Sequence, residues 1–151
     1  MGVPIRACVA GLPAYKAGKP AGGQRKTFKL SSNENPYPPL PGVLEAAQQS
    51  CKQMNRYPDM GNSEALTALT EYLRLHNDGL PVTEDNLAFG TGSVAVLYHL
   101  LQAVCDPGDE VVYAWRSFEA YPIAVQACGA VPVQVPLRAD CSHDLPAMAA
   151  A

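Results

Sequence analysis

Hydrophobic residues change their spacing near the middle of the chain. In the first half they recur every three or four positions, which predicts amphipathic helices over residues 42–54 and 63–76. The second half alternates short apolar runs with helical stretches, which predicts strands over 87–90, 110–115 and 130–135 and helices over 93–105 and 118–127. The faces predicted to be buried are Val43, Leu44, Ala47, Cys51 and Met54 in the first helix, Leu66, Leu69, Tyr72 and Leu73 in the second, and Val94, Leu97, Leu101 and Val104 in the third.

This order of elements predicts the fold class and the division of the chain. Each helix of the second half joins two apolar strands by a crossover, which fits a mostly parallel sheet flanked by helices in an α/β protein. Residues 1–29 are rich in Gly, Pro, Lys and Ala and predict a loosely ordered leader, and residues 30–41 form a proline-rich arm. Residues 42–151 end in the first turn of a helix at Asp144, which predicts an incomplete domain.

Composition narrows the classes of function. Of 151 residues, 48% are hydrophobic and 17% charged, as in globular proteins. The net charge of −3 comes without any basic block, which argues against nucleic acid as a partner. The five cysteines are widely spaced and form no CxxC pair, so we expect neither a disulfide framework nor a metal site. Free cysteines are typical of a reducing compartment, and we therefore expect the protein to be cytoplasmic. We also expect no signal peptide and no membrane span.

A glycine-rich turn, "AFGTGSVAVL", joins a predicted strand to a predicted helix. The first N–H groups of such a helix are unpaired and carry the positive end of its dipole, so Gly92, Ser93 and Val94 predict a phosphate site. Gly90, Gly92 and Ala95 also match the dinucleotide pattern G-x-G-x-x-A. That pattern needs an acid where the next strand ends, and here the strand ends in "AW", so we disfavour a dinucleotide. An ordinary tight turn remains the alternative.

The stretch "WRSFEAY" follows the second predicted strand, at the sheet edge where open α/β folds bind ligands. Phe118 offers a flat face to a planar ring, and Tyr121 lies about one helical turn further on. The alternative is that both are simply core residues.

Two stretches of the first half also carry polar and aromatic groups. In "NRYP", Arg56 and Tyr57 are able to bind a phosphate, unless they are ordinary surface residues. In "SSNENPYPP", prolines hold the arm extended, so that it lies across a surface with little loss of entropy. Its polar and aromatic groups are Asn33, Glu34, Asn35 and Tyr37, and a packing or domain-swapping arm is the alternative.

Taken together and in order, "LSSNENPYPP", "NRYPDMGNSEALTALTEYL", "GTGSVAVL" and "FEAYPIAVQACGAVPVQVPL" resemble the amino-terminal part of histidinol-phosphate aminotransferases and the related aromatic, phenylalanine-type aminotransferases. The resemblance covers nearly all of residues 30–151. Val94 and the Arg116-Ser117 pair differ from the residues that many histidinol-phosphate enzymes carry at these positions. These differences favour the phenylalanine-type branch.

The resemblance implies a homodimeric fold-type I enzyme of amino-acid biosynthesis that uses pyridoxal 5′-phosphate. It would transfer an amino group between glutamate or 2-oxoglutarate and either histidinol phosphate or an aromatic amino acid. The implied cofactor-binding residues are Gly92, Ser93 and Val94 around the phosphate, Phe118 on the pyridine ring and Tyr57 reaching the phosphate of the neighbouring subunit. The implied substrate-binding residues are Asn35 and Tyr37 in an arm that closes the pocket, together with Tyr121.

The lysines of the chain all precede the glycine turn. They are Lys16, Lys19, Lys26, Lys29 and Lys52. The resemblance implies that the Schiff-base lysine of the family lies beyond residue 151, so the chain is expected to contain no catalytic residue and to be inactive alone. The alternative is a non-catalytic module that binds a phosphorylated ligand or pairs with an aminotransferase subunit.

Overall fold

The computed structural model describes residues 3–12, 28–29, 34–77 and 81–151. The helices are Ala7–Ala10 (α1), Val43–Cys51 (α2), Ser63–His76 (α3), Ser93–Val104 (α4), Ala120–Cys128 (α5) and Leu145–Ala150 (α6), the strands are Glu110–Trp115 (β1) and Val131–Pro136 (β2), and a 3-10 helix spans Glu84–Asn86. No helix in these ranges is both long and apolar enough to cross a membrane. Most of the predicted leader (13–27) and the start of the arm (30–33, including Asn33) lie outside the described residues.

The chain divides into two compact units. The sheet unit consists of Met1–Ala14 with Ala88–Ala151, and the helical unit is Tyr15–Leu87. The leader, arm and domain boundaries predicted above remain predictions. Within the leader, the structure places α1 in the sheet unit.

A parallel strand pair forms the centre of the sheet unit. Strands β1 and β2 run in register, with Glu110 opposite Val131 and Trp115 opposite Pro136, and α5 connects them. Helices α4 and α5 pack together, and the buried cluster is Leu101, Tyr113, Ala124, Val125 and Ala130. The predicted α/β class with parallel strands is therefore confirmed for this part of the fold. Tyr113 of β1 together with Ala124 and Val125 of α5 make up three of the five residues of this buried cluster.

The carboxyl end of α5 is closed by glycine and by a distant arginine. Gly129 has a φ of 96°, the left-handed conformation in which many helices end. Arg6, just before α1, donates from Nη1 to the carbonyl of Ala127 at 3.1 Å. Since the last carbonyls of a helix lack partners within it and carry partial negative charge, this contact both satisfies an acceptor and complements the dipole.

The strand predicted over residues 87–90 is not formed. Leu87 has extended backbone angles (φ −118°, ψ 141°), but the segment pairs with no other described strand, and the described sheet contains β1 and β2 alone. An apolar run fixes extended backbone only when a neighbouring strand accepts its hydrogen bonds. The prediction of a three-stranded sheet is therefore wrong for this structure.

None of the three predicted apolar faces is buried as expected, and on the α3 face Tyr72 is 56% exposed. Every residue of α2 is exposed, including Val43 and Leu44. In α4 only Leu101 is fully buried, whereas Val94 and Val104 lie open. Periodicity identifies the face of a helix that suits burial, but the described part of the chain supplies no second layer over these faces.

A carboxylate four residues upstream closes the amino end of α3. Asp59 accepts hydrogen bonds from the backbone N–H of Ser63 at 2.8 Å and of Gly61 at 3.0 Å. Asn62, the residue directly before the helix, makes no capping bond with its side chain. The backbone hydrogen bond from Ser63, with a smaller contribution from the Ser63 side chain, lowers the pKa of Asp59 below its ordinary 3.8.

We predict that Asp59→Asn removes an acid-sensitive part of the stability of α3. Because the folded-state pKa of Asp59 is lowered, its contribution is present above pH 3.8 and is lost as pH falls through the folded value. Helix content measured by circular dichroism during acid titration should therefore fall in a step that Asp59→Asn removes. Asp85→Asn, at an exposed carboxylate of the same unit, is the control. An identical acid transition in wild type and Asp59→Asn would contradict the prediction.

Candidate functional site

The glycine turn before α4 brings backbone donors to the surface. Gly92 has φ 85° and ψ 165°, a conformation that is essentially restricted to glycine. A Cβ built on Gly92 would have no heavy atom within 4 Å, so the space beside it is open. The N–H of Gly92 donates to the carbonyl of Gly90 at 2.8 Å, whereas the N–H groups of Ser93 and Val94 find no acceptor among the described residues. Gly92 thus supplies conformation, and Ser93 and Val94 supply donors.

Gly90 has a different role in the same turn. A Cβ on Gly90 would lie 3.0 Å from Val96 Cγ2 and 3.1 Å from the Val96 backbone nitrogen. Any side chain at this position would push the turn away from the first turn of α4. The close approach fixes how the helix follows the turn, a packing requirement that the G-x-G spacing did not reveal.

The segment after β1 holds Phe118 at the surface by several local contacts. Ser117 Oγ donates to the carbonyl of Ala114 at 2.6 Å, and the Tyr121 N–H donates to the carbonyl of Phe118 at 3.1 Å. The ring of Phe118 meets Tyr121 edge-on, with centroids 5.5 Å apart and planes at 87°. Tyr121 in turn packs against Tyr113 at 5.4 Å between centroids. Tyr121 thus links the exposed ring to the core.

Phe118 and Tyr121, the two aromatic residues that the sequence analysis selected, differ in their exposure to solvent. Phe118 is 36% exposed, so part of the residue is accessible from solvent. Tyr121 is half-buried and joins the aromatic cluster of the core. Tyr121 therefore agrees with the core interpretation, whereas the ligand role of Phe118 stays a prediction.

Arg116 is a neighbour of Phe118 that the sequence interpretation treated only as a branch marker. Its guanidinium lies 5.5 Å from the centre of the Trp115 ring and pairs with Glu119 at 2.9 Å. Both charged side chains are largely exposed, so the ion pair contributes little to stability. The i, i+3 spacing in "RSFE" was the signal that could have identified it.

The remaining candidates belong to the helical unit. Tyr57 is fully exposed in the loop after α2, and Tyr37 is 79% exposed. Asn35 Oδ1 accepts from the Tyr37 N–H at 3.0 Å, a local turn that fixes this part of the arm. Gly92, Ser93, Val94, Phe118 and Tyr121 all lie in the sheet unit.

Comparison with known proteins identifies the family. The family model "Aminotransferase class I and II" matches residues 25–151. The chain belongs to this family. Among curated proteins, an aromatic amino acid aminotransferase of Streptomyces avermitilis is 56% identical over 146 residues, and one of Streptomyces coelicolor is 52% identical over 146 residues. Each alignment covers 96% of this chain and 39% of the relative, so the chain spans about two fifths of the length of these relatives.

A solved structure supports the same assignment. The histidinol-phosphate aminotransferase of Sinorhizobium meliloti, in complex with pyridoxal 5′-phosphate, superposes with a TM-score of 0.63 at 27% identity. The match covers 72% of this chain and 28% of that one. The resemblance drawn from the four motifs is thus confirmed, and the described fold is part of a class I aminotransferase fold.

Proposed function

We propose that this chain is the amino-terminal part of a pyridoxal-phosphate-dependent aromatic amino acid aminotransferase. The proposal rests chiefly on the turn before α4, where Ser93 and Val94 present unpaired backbone donors beside the open space at Gly92. The arrangement fits a dianionic phosphate because two donors and the positive end of a twelve-residue helix converge there. The exposed Ser93 hydroxyl adds a third donor.

Phe118 would support the planar ring of the cofactor. Its contact with Tyr121, with ring planes at 87°, holds the aromatic plane in one orientation before a ligand arrives, and the residue is 36% exposed. Offset stacking of aromatic rings contributes about 0.5–1.5 kcal/mol beyond burial. When bound, the cofactor supplies an electron sink for the reacting carbon of an amino acid. This chain contributes the phosphate donors and the ring support.

The residues of the helical unit would complete the pocket in a homodimer. Tyr57 is free to reach the phosphate held by a second subunit because its side chain is fully exposed. Asn35 and Tyr37 would lie over the substrate, with the local turn at Asn35 keeping the arm extended. Tyr121 would contribute through its contact with Phe118.

The substrate of the complete enzyme would be an aromatic amino acid rather than histidinol phosphate. Identity to the aromatic enzymes of Streptomyces is 52–56%, against 27% to the histidinol-phosphate enzyme of Sinorhizobium meliloti. The reaction would be amino transfer with glutamate and 2-oxoglutarate as the second pair.

An absorbance titration of the purified chain with pyridoxal phosphate tests this proposal. We expect saturable, stoichiometric binding through the phosphate donors, with no single lysine modified after borohydride treatment and mass analysis. We also expect no amino transfer, since the five lysines all precede α3 in the sequence and none follows the glycine turn. A specific adduct at one lysine would overturn the inactivity of the chain, and the absence of saturable binding would overturn the cofactor site.

Phe118→Leu is predicted to weaken binding of pyridoxal phosphate by roughly tenfold, the equivalent of about 1.4 kcal/mol. Leucine keeps apolar bulk but has no planar face for the pyridine ring. Val104→Leu is a matched control, because Val104 is exposed and lies at the far end of α4. Fluorescence titration of the three proteins gives the dissociation constants. Equal constants for wild type and Phe118→Leu would exclude ring stacking at this residue.

A further inference from the structure

Three of the five cysteines lie together in the sheet unit, apart from the residues proposed to hold the cofactor. Cys105 directly follows α4, Cys128 is the last residue of α5, and Cys8 belongs to α1, which packs against α5. All five thiols are free in the structure, and these three are partly buried, whereas Cys51 and Cys141 are exposed. The protein thus carries a cluster of nucleophilic groups to which the proposed function assigns no role.

The backbone brings Cys105 and Cys128 onto adjacent segments. Both side chains pack against the same buried cluster of the sheet unit. The N–H of Gly108 donates to the carbonyl of Gly129 at 3.1 Å, and a Cβ built on Gly129 would lie 3.8 Å from the Cα of Pro107. The residue after Cys128 therefore touches the turn that begins two residues after Cys105. The fold thus holds the two thiols side by side at the ends of their helices.

The groups around Cys128 also influence one another electrostatically. Burial raises the pKa of Cys128 above its ordinary 9.0, and Cys105 raises it further because two adjacent thiolates repel each other. The Arg6 guanidinium, which donates to the carbonyl of Ala127, acts in the opposite direction, and Cys8 adds a smaller increase. Cys128 is therefore a protonated thiol at neutral pH, with one cation beside it that favours the thiolate when a proton is removed.

We propose that Cys105 and Cys128 form a reversible disulfide when the protein meets an oxidised low-molecular-weight disulfide. The Cys105 thiolate attacks one sulfur of the small disulfide, which releases one small thiol and leaves a mixed disulfide on Cys105. The Cys128 thiolate then attacks the Cys105 sulfur and releases the second small thiol. The protein gives up two protons and two electrons, and the small disulfide takes up both. A reducing compartment reverses the exchange, so the bridge is a switch.

The bridge closes a loop over residues 106–127, which contains β1, Phe118 and all of α5 except its last residue. Such a cross-link restricts the unfolded chain, so it stabilises the folded sheet unit. In the reduced protein the same two helix ends are held by packing alone. Oxidation thus strengthens the sheet unit whether or not a cofactor binds there, and the inference does not depend on the proposed function.

Peptide mapping after oxidation tests the pairing. Trypsin places every cysteine on a separate peptide, because a lysine or arginine lies between each cysteine and the next. The double variant Cys51→Ser/Cys141→Ser removes the exposed thiols, and it is treated with oxidised glutathione, blocked with iodoacetamide and digested without reduction. We expect peptide 75–116 joined to peptide 117–138, two hydrogens lighter than the two together. A link from Cys8 to Cys128, glutathione retained on either cysteine without a bridge, or the same mixture of pairs in concentrated urea would overturn the proposal.

Urea unfolding tests whether the folded protein is shaped for the bridge. Oxidation of the double variant should lower the unfolding equilibrium constant about a hundredfold, and dithiothreitol should restore the original value. Adding Cys8→Ser should leave both changes intact, because Cys8 is not part of the bridge. Adding Cys105→Ser should remove both, since Cys128 then has no partner. A urea midpoint that stays the same or falls on oxidation would show that the bridge does not fit the native fold, and the proposal would be wrong.

Discussion

Gly92→Val is expected to weaken binding of pyridoxal phosphate to this chain more than any other substitution proposed for the cofactor site. At φ 85° and ψ 165° a valine is strained by about 1–3 kcal/mol, and relief of that strain rotates the first turn of α4. The N–H groups of Ser93 and Val94 would then no longer point at one phosphate. Two charge-assisted hydrogen bonds of about 1.5–3 kcal/mol each are at stake, so the dissociation constant should rise roughly a hundredfold or more.

A second glycine of the same unit provides the control for strain. Gly108 also has a positive φ, 99°, and open space at its Cβ position, but it lies in the turn between α4 and β1. Gly108→Val therefore carries a similar backbone cost away from the phosphate donors. Titration of both variants, together with circular dichroism to confirm folding, separates the two effects. If Gly108→Val loses the cofactor as fully as Gly92→Val, the loss reports stability rather than the site.

The sequence predicted best where local pattern decides the structure. Strand β1 has the bounds predicted for the apolar run over 110–115, and α4 begins at Ser93, as predicted for the helix that follows the glycine turn. These elements are determined by residues that are neighbours along the chain. The parallel pairing of β1 and β2 followed from the length of the connecting helix.

The remaining features depend on contacts that no local pattern contains. The 87–90 run is apolar but lacks a paired neighbour, and the Arg6 contact with Ala127 joins residues 121 positions apart. Asp59 caps α3 from four residues away, beyond the positions at which a cap is usually sought. At the candidate site, the motif did not predict that the Gly92 N–H is already bound to Gly90. The backbone angles were needed to distinguish Gly92, which shapes the turn, from Ser93 and Val94, which supply the N–H donors.

Ala124→Leu is expected to cause the largest loss of stability in the sheet unit. Ala124 is 0% exposed and belongs to the cluster formed by Leu101, Tyr113 and Val125. Three additional carbon atoms at this position must move α5 away from the core, at a cost of about 1–3 kcal/mol. A small domain is stable by only about 5–15 kcal/mol, so this change lowers the urea midpoint markedly.

The same displacement of α5 should also weaken cofactor binding. Helix α5 begins two residues after Phe118, and Tyr121 in its first turn holds that ring edge-on. A shift of α5 therefore loosens the ring support as well as the core, and Ala124→Leu should weaken cofactor binding even under conditions where the chain is folded. Ala103→Leu, at an exposed position of α4, adds the same atoms to a helix surface and should change neither the midpoint nor the affinity. Equal urea midpoints for the two variants would show that Ala124 is not a packing constraint, because a tightly filled core cannot accept a leucine without cost.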